Sequence, residues 1–215
     1  MATASAEARS ALVERVRFGP DGLVPAVVQD ATSGRVLTLA WMSPASLEKT
    51  LAEGETWFWS RSRGELWHKG ETSGHTQAVR AIRVDCDADA LVVLVDQTGA
   101  ACHTGAETCF HEPLAGEAAE PFAALAALER VIADRAEAAD PESSYTARLL
   151  AKGVDTVGKK VGEEATEVAL ALKGAETDRV VAESADLLYH LAVLWRAAGV
   201  SAEDVAAELA RRARP

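Results

Sequence analysis

Residues 83–111 read RVDCDADALVVLVDQTGAACHTGAETCFH, and they hold all three cysteines of the 215-residue chain together with aspartates at 85, 87 and 89. The centre of the stretch, ALVVLVDQ (residues 90–97), is an apolar, β-branched run closed by the turn signal Thr98-Gly99. That is the pattern of a buried strand. An acidic segment with one thiol precedes the strand and a loop with two thiols follows it. Three is an odd number, so disulfide pairing alone cannot use every cysteine.

Upstream, the chain continues as strands and turns. LVPAVVQDATSGRVLTLAWM (residues 23–42) has two apolar runs joined by Asp30 to Gly34, a hairpin signal. SPASLEKTLAEG (43–54) predicts a short helix with Ser43 as cap, Pro44 at its first position and Gly54 as its stop. ETWFWSRSRG (55–64) and HTQAVRAIRVDCD (75–87) carry alternation and aromatics. An α+β, mainly β domain with one or two helices is expected over residues 1–113.

Downstream the composition changes to Ala, Glu, Leu and Arg, and no strand pattern survives. PFAALAALERVIADRAEA (121–138), SSYTARLLAKG (143–153), VDTVGKKVGEEATEVALALKG (154–174), TDRVVAESADLLYHLAVLWRAAG (177–199) and SAEDVAAELARRAR (201–214) read as helices. Serines at 143 and 144, Thr177 and Ser201 suit caps, and Gly174 and Gly199 suit stops. An all-α helical bundle of four or five helices is expected over 114–215, joined through the linker HEPLAGEAAEP (111–121).

Charge narrows the function classes. With 33 acids against 22 bases the chain carries a formal charge of −11 and gains nothing from counterion release on DNA or RNA. No apolar run approaches the ~20 residues of a membrane span, and the first residues lack a signal-peptide pattern. The expectation is a cytoplasmic protein without nucleic-acid or membrane partners, in a reducing compartment where clustered thiols more often mean metal than disulfide. Small phosphorylated substrates remain open to it.

Three thiolates with an open fourth position suit a catalytic zinc, with Cys102 and Cys109 turned toward one point by the loop around Gly105 and Cys86 reaching them from near a strand start. A small core residue plus two loop thiols is the alternative. His103 is either a fourth ligand or a general acid–base beside the metal. On one extended strand, Asp85, Asp87 and Asp89 would share a face and would repel unless a hard cation such as magnesium sat between them; Cys86 would point the other way. A solvated turn fits the same residues. WFWSRSRGELWHKGETSGH (57–75) sets Arg61, Arg63 and Lys69 among tryptophans, hydroxyl side chains and a glycine-containing turn. Its guanidiniums, hydroxyls and aromatic faces suit a phosphate and a base ring, with Trp59, Ser60, Arg61, Ser62, Arg63, Lys69, Glu71, Ser73 and Gly74 as candidate substrate contacts. An ordinary strand pair with a charged face would look similar.

WFWSRSRGELWHKGETSGH, VDCDADAL and QTGAACHTGAETCFH, in this order, resemble phosphoribosyl-AMP cyclohydrolase, over about residues 22–111. The resemblance implies zinc on Cys86, Cys102 and Cys109, magnesium on Asp85, Asp87 and Asp89, and attack of an activated water at C6 of the adenine ring to open the N1–C6 bond. Two departures, Ser43 where Asn is frequent and His68 where another basic residue is, touch no implied ligand. The strand ALVVLVDQ spans about 25 Å at roughly 3.3 Å per residue. A single chain would have to fold its loop back along that length to unite the thiols, whereas a two-fold dimer would not. The resemblance also implies a dimer with shared sites, so Cys86 of one chain is expected to join Cys102 and Cys109 of a partner.

In the helical half, Glu164 and Glu167, then Glu183 and Asp186, stand at i, i+3. Both pairs lie about 14 Å from a turn centred near Ala175, so an antiparallel hairpin would set four carboxylates level. A charged surface is the alternative. The apolar rows Val161, Ala165, Val168, Leu172 and Leu187, Leu191, Leu194 beside them favour a buried metal site. SYTARLLAKGVDTVGKKVGEEATEV and ESADLLYHLAVLW resemble phosphoribosyl-ATP pyrophosphohydrolase, and more widely the all-α nucleotide pyrophosphohydrolases with an ExxE…ExxD pattern, over about residues 121–211. That resemblance implies magnesium on Glu164, Glu167, Glu183 and Asp186, a water placed by Glu163, and Lys152, Lys159 and Lys160 against a triphosphate. The two halves in this order resemble the bifunctional histidine-biosynthesis family, which converts phosphoribosyl-ATP to phosphoribosyl-AMP and then opens its ring. A zinc deaminase fused to a house-cleaning nucleotide pyrophosphatase is the competing enzyme class, but the H-x-E…P-C-x-x-C pattern is missing. A structural zinc knuckle with a helical dimerisation module lacks a fourth ligand.

Overall fold

The structure, a computed structural model, describes residues 5–116, 121–174 and 177–213. It divides into two compact units, Met1–Ala123 and Ala124–Pro215. In the first, α1 (Ala6–Val13) precedes a hairpin of β1 (Val24–Asp30) and β2 (Val36–Met42), then α2 (Pro44–Glu53), β3 (Trp57–Ser60), β4 (Glu65–His68), β5 (Gln77–Val84) and β6 (Leu91–Gln97). α2 has the ends expected from its sequence: Ser43 caps it in a reciprocal box with Ser46, Pro44 opens it, and Gly54 closes it in the left-handed conformation.

Four strands form one sheet in the order β2-β1-β6-β5, and β3 and β4 form a separate hairpin. β1 and β6 run parallel with Ala26 opposite Leu91 and Val28 opposite Val93; the other neighbours are antiparallel. Alternation therefore puts Val24, Ala26 and Val28 on the same buried face as Leu91, Val93 and Val95, where Leu47 of α2 and Phe58 of β3 cover them.

The register decides where the chemistry sits. Val84 pairs with Leu91 at one end of the sheet and Gln77 with Gln97 at the other. The segment from Asp85 to Asp89 is thus at the Leu91 end. The loop after Gln97 leaves from the opposite end, where the Cys109 N–H donates to the Leu37 carbonyl at 2.8 Å. One expectation is corrected here. Asp85, Asp87 and Asp89 do not share an extended strand, because β5 stops at Val84 and the chain turns, with Ala88 at φ +68°.

The second unit holds all but the first three residues of α3 (Pro121–Ala138), with α4 (Tyr145–Ala151), α5 (Val154–Lys173), α6 (Thr177–Ala198) and α7 (Ala202–Arg212) among its described residues. Ser144 and Ser201 cap α4 and α7 as expected. Thr177 is the first residue of α6 and not its cap. The core comprises Ile132, Leu149, Val157, Ala192 and Val193. Of the apolar rows expected beside the acids, Leu194 packs against this core, Val161, Val168, Leu187 and Leu191 are half-buried, and Ala165 and Leu172 are exposed. Leu172 is 62% exposed and Val181 65%, and Leu170 and Leu188 are exposed as well. The expected turn near Ala175 and residues 117–120 of the expected linker lie outside the described residues.

Gly70 illustrates a backbone constraint. Its φ is +89°, and a Cβ there would lie 2.7 Å from the His75 carbonyl, whereas Gly54 at φ +73° faces open space. Gly70→Ala should therefore lower stability by more than the ~1–3 kcal/mol of left-handed strain that Gly54→Ala incurs. Urea unfolding followed by tryptophan fluorescence checks this, since four of the five tryptophans (41, 57, 59 and 67) lie in the first unit.

Candidate active sites

The loop after β6 is shaped by its own backbone. Cys102 N–H donates to the Ala106 carbonyl and Gly105 N–H to the Cys102 carbonyl, both at 3.1 Å. The Thr108 hydroxyl ties the loop to Val36 of β2 at 2.6 Å. Cys102 is buried, and its Sγ accepts from the Thr104 hydroxyl at 3.1 Å. That hydroxyl and the Thr104 backbone hold the Cys102 thiol below the usual thiol range, assisted by Cys109 and His111.

A cavity of about 410 Å³ opens on this loop, walled by Lys69, Glu71, Ser73, Cys102, His103 and Cys109 of the expected residues. Thr38, Trp67 and His75 also line it and were not foreseen. The other expected substrate contacts are placed elsewhere. Arg61 stacks over the Trp41 ring at 4.7 Å, Arg63 pairs with Glu65 at 2.7 Å, and the Ser60 and Ser62 hydroxyls lie 3.5 Å apart. Those four, with Trp59 and Gly74, are not among the residues lining the cavity.

Cys86 is exposed in the turn at the opposite end of the sheet. Among the described residues, two groups of three His, Cys, Asp or Glu side chains bring ligand atoms within 4.8 Å of one another, and neither contains a cysteine. One chain alone does not gather the three thiols.

The first such group is Asp85, Asp87 and Asp89. The turn achieves what the extended strand was expected to do: Asp85 Oδ1 accepts from the backbone N–H groups of Asp89 (2.9 Å) and Ala90 (3.2 Å). Arg17, missed by the sequence reading, reaches Asp89 at 2.8 Å and Asp87 at 3.2 Å. Its own N–H donates to the Ala88 carbonyl at 2.7 Å. These carboxylates already draw a cation. No local signal marks a partner about 70 residues away in sequence.

The second group is Glu164 and Glu167 of α5 with Glu183 of α6. Hydrogen bonding to Glu183 and the charge of Glu183 push the Glu167 carboxyl up from its ordinary value. Asp186 is not in the trio; it is exposed, and its carbonyl lies 2.9 Å from Nδ1 of the buried His190. His190 stands 3.7 Å from Glu164 and 3.4 Å from the Tyr145 hydroxyl. Glu163 pairs with Lys160 at 2.5 Å, which holds its carboxyl below the ordinary value. Lys152 ends α4 and Lys159 is exposed on α5.

The family profile for phosphoribosyl-AMP cyclohydrolase matches residues 38–111, and that for phosphoribosyl-ATP pyrophosphohydrolase matches residues 125–213. The chain belongs to the bifunctional family that joins these two enzymes. Similar proteins named histidine biosynthesis bifunctional protein HisIE occur in Bacillus subtilis (strain 168), 54% identical over 93% of this chain and 95% of that protein. Those of Gloeobacter violaceus (51%; 94% and 92%) and Deinococcus radiodurans (49%; 93% and 93%) are similar too. The order matches the sequence reading: the cyclohydrolase segment falls in the mainly β unit and the pyrophosphohydrolase segment in the helical one. No helix among the described residues is long and apolar enough to cross a membrane.

In the pyrophosphohydrolase unit the raised Glu167 carboxyl has a consequence that melting can detect. Between the unfolded and folded pKa values the folded state binds the extra proton, so stability falls as pH rises through that interval. In the presence of chelator, Glu167→Gln should melt higher than the parent at about pH 7.5 and equally at about pH 3.5, where the carboxyl is protonated in both states.

Proposed function

We propose that the helical unit hydrolyses phosphoribosyl-ATP to phosphoribosyl-AMP and pyrophosphate, and that the mainly β unit then opens the adenine ring of the product. We place the division between the catalytic domains after residue 113. The observation that carries this reading is the pairing of two unlike sites in one chain. A cavity with Cys102, Cys109 and His103 lies in the cyclohydrolase segment, and a three-carboxylate cluster lies in the pyrophosphohydrolase segment.

The donor sets fit two kinds of ion. Cys86, Cys102 and Cys109 are soft ligands that suit zinc. Glu164, Glu167 and Glu183 offer only oxygen, and their mutual repulsion suits magnesium, with Asp186, three residues beyond Glu183, as the fourth carboxylate. Asp85, Asp87 and Asp89 suit magnesium likewise, in competition with Arg17. Zinc on the thiols would activate water, and magnesium on the carboxylates would offset phosphate charge.

The chain's own groups supply the rest. His103, on the cavity wall, takes a proton from the attacking water and returns it to N1 as the N1–C6 bond opens, so that one water is added in all. Glu71 and Ser73 orient the ribosyl phosphate portion from the same wall. The exposed Arg61 and Arg63, with Ser60, Ser62, Trp59 and Gly74, are assigned to phosphate and ring contacts. In the helical unit, Glu163 exchanges Lys160 for a water that it orients, which frees Lys160 to join Lys152 and Lys159 on the triphosphate. The separation of Cys86 from Cys102 and Cys109 supports a homodimer, as do the exposed Leu170, Leu172, Val181 and Leu188. A reducing cytoplasm would keep the thiols free for metal.

Glu183→Ala should lower pyrophosphate release by more than about 100-fold while ring opening of supplied phosphoribosyl-AMP stays within about twofold, because the sites lie in separate units. Loss of both activities in a folded variant contradicts the two-site reading. After chelation, zinc should restore ring opening and magnesium pyrophosphate release; ring opening by protein free of zinc would refute the zinc assignment.

A further inference from the structure

Lys69 carries a positive charge in a place that water hardly reaches. The residue follows β4 directly and is 8% exposed. Its ammonium donates to the Ala101 carbonyl at 2.8 Å. Among the described residues no carboxylate pairs with it. An ammonium removed from water costs several kcal/mol unless something answers its charge. Burial indeed pushes the Lys69 pKa down, and the opposing influences come from Cys109 and Cys102. The acceptor is equally telling, because Ala101 is the residue immediately before Cys102.

The stem has little freedom to aim elsewhere. Lys69 N–H donates to the Thr56 carbonyl at 3.1 Å, which fixes the backbone at the end of β4. Gly70 then turns the chain at φ +89° against the His75 backbone. A lysine that recruits phosphate works as a hydrated point charge on a flexible stem. Lys69 is instead largely covered and held by the Ala101 carbonyl.

We propose that Lys69 is a positioning residue of the thiol centre and not a substrate contact. Its ammonium fixes the Ala101 carbonyl, and through it Cys102, while its charge answers those of Cys102 and Cys109. The inference rests on the reading of these thiols as zinc ligands. Three thiolates around a divalent ion leave a net negative charge, and Lys69 is the buried cation that offsets it. Partners that orient a ligand typically contribute about 10–100-fold to metal affinity.

The test uses the full-length protein with Lys69→Met and Lys69→Arg. Zinc affinity is measured by competition with a chromophoric chelator, and kcat and KM for phosphoribosyl-AMP at saturating zinc. Lys69→Met should bind zinc about 10–100-fold more weakly, with kcat lowered and KM within about twofold. Lys69→Arg, which keeps the charge and the donors, should recover most of the affinity. Near-UV circular dichroism verifies folding; if the Met variant fails to fold, Lys69→Gln, which keeps a donor for Ala101 without the charge, takes its place with the same expectation. Unchanged zinc affinity with a raised KM overturns the inference and restores Lys69 as a substrate contact. Unchanged affinity and kinetics overturn it as well. A parent protein that binds no zinc, or binds it equally after Cys102→Ser, overturns the thiol reading itself, and the inference with it.

Discussion

Strand β6 is the constraint on which the first unit depends. It lies between β1 and β5 with Leu91, Val93 and Val95 buried, so its register cannot slip without turning those side chains out of the core. As a rigid spacer it is roughly 20 Å long. The aspartate turn and Cys86 sit at its start, and the loop with Cys102 and Cys109 leaves from its end and is tied to β2. The packing that makes the unit stable therefore keeps one thiol away from the other two. The loop at this end brings Cys102, His103 and Cys109 to one cavity with Lys69, which follows β4.

The helical unit meets a related limit by different means. Its core is small, and apolar side chains on α5 and α6 stay exposed in the single chain. Between these helices three glutamates converge, and their repulsion appears as the raised Glu167 carboxyl. Both features are unfavourable in an isolated chain without metal. In the proposed function a bound cation would offset the second, and a partner chain would cover the first.

Much of this was legible in the sequence because it depends on local signals. The ends of α2 follow from Ser43, Pro44 and Gly54, and the β1–β2 hairpin from Asp30 to Gly34. The convergence of Glu164, Glu167 and Glu183 follows from their spacing on two antiparallel helices. What was misread depends on longer range or on ambiguity. The alternation in DCDAD fits a strand as well as a turn, and the positive φ of Ala88 decided for the turn. Arg17 joins the aspartates across about 70 residues, which no spacing reveals. Lys69 read as one base in a basic segment, and only the fold shows it buried under the thiol loop. Helical periodicity marks Leu172 as apolar-faced but does not say whether its own chain or another covers it.

The central claim is that the thiol centre is completed by a second chain, and complementation between inactive variants tests it most directly. Cys86→Ala and Cys102→Ala proteins, each inactive in ring opening, are refolded together, and the mixed dimers are verified by mass. In a mixed dimer with shared sites both lesions fall in one site and leave the other intact. Random pairing makes about half of the dimers mixed with half their sites whole, so ring opening should return to about a quarter of the parent level. If each site is built within one chain, every site stays broken, and verified mixed dimers without activity would contradict the account.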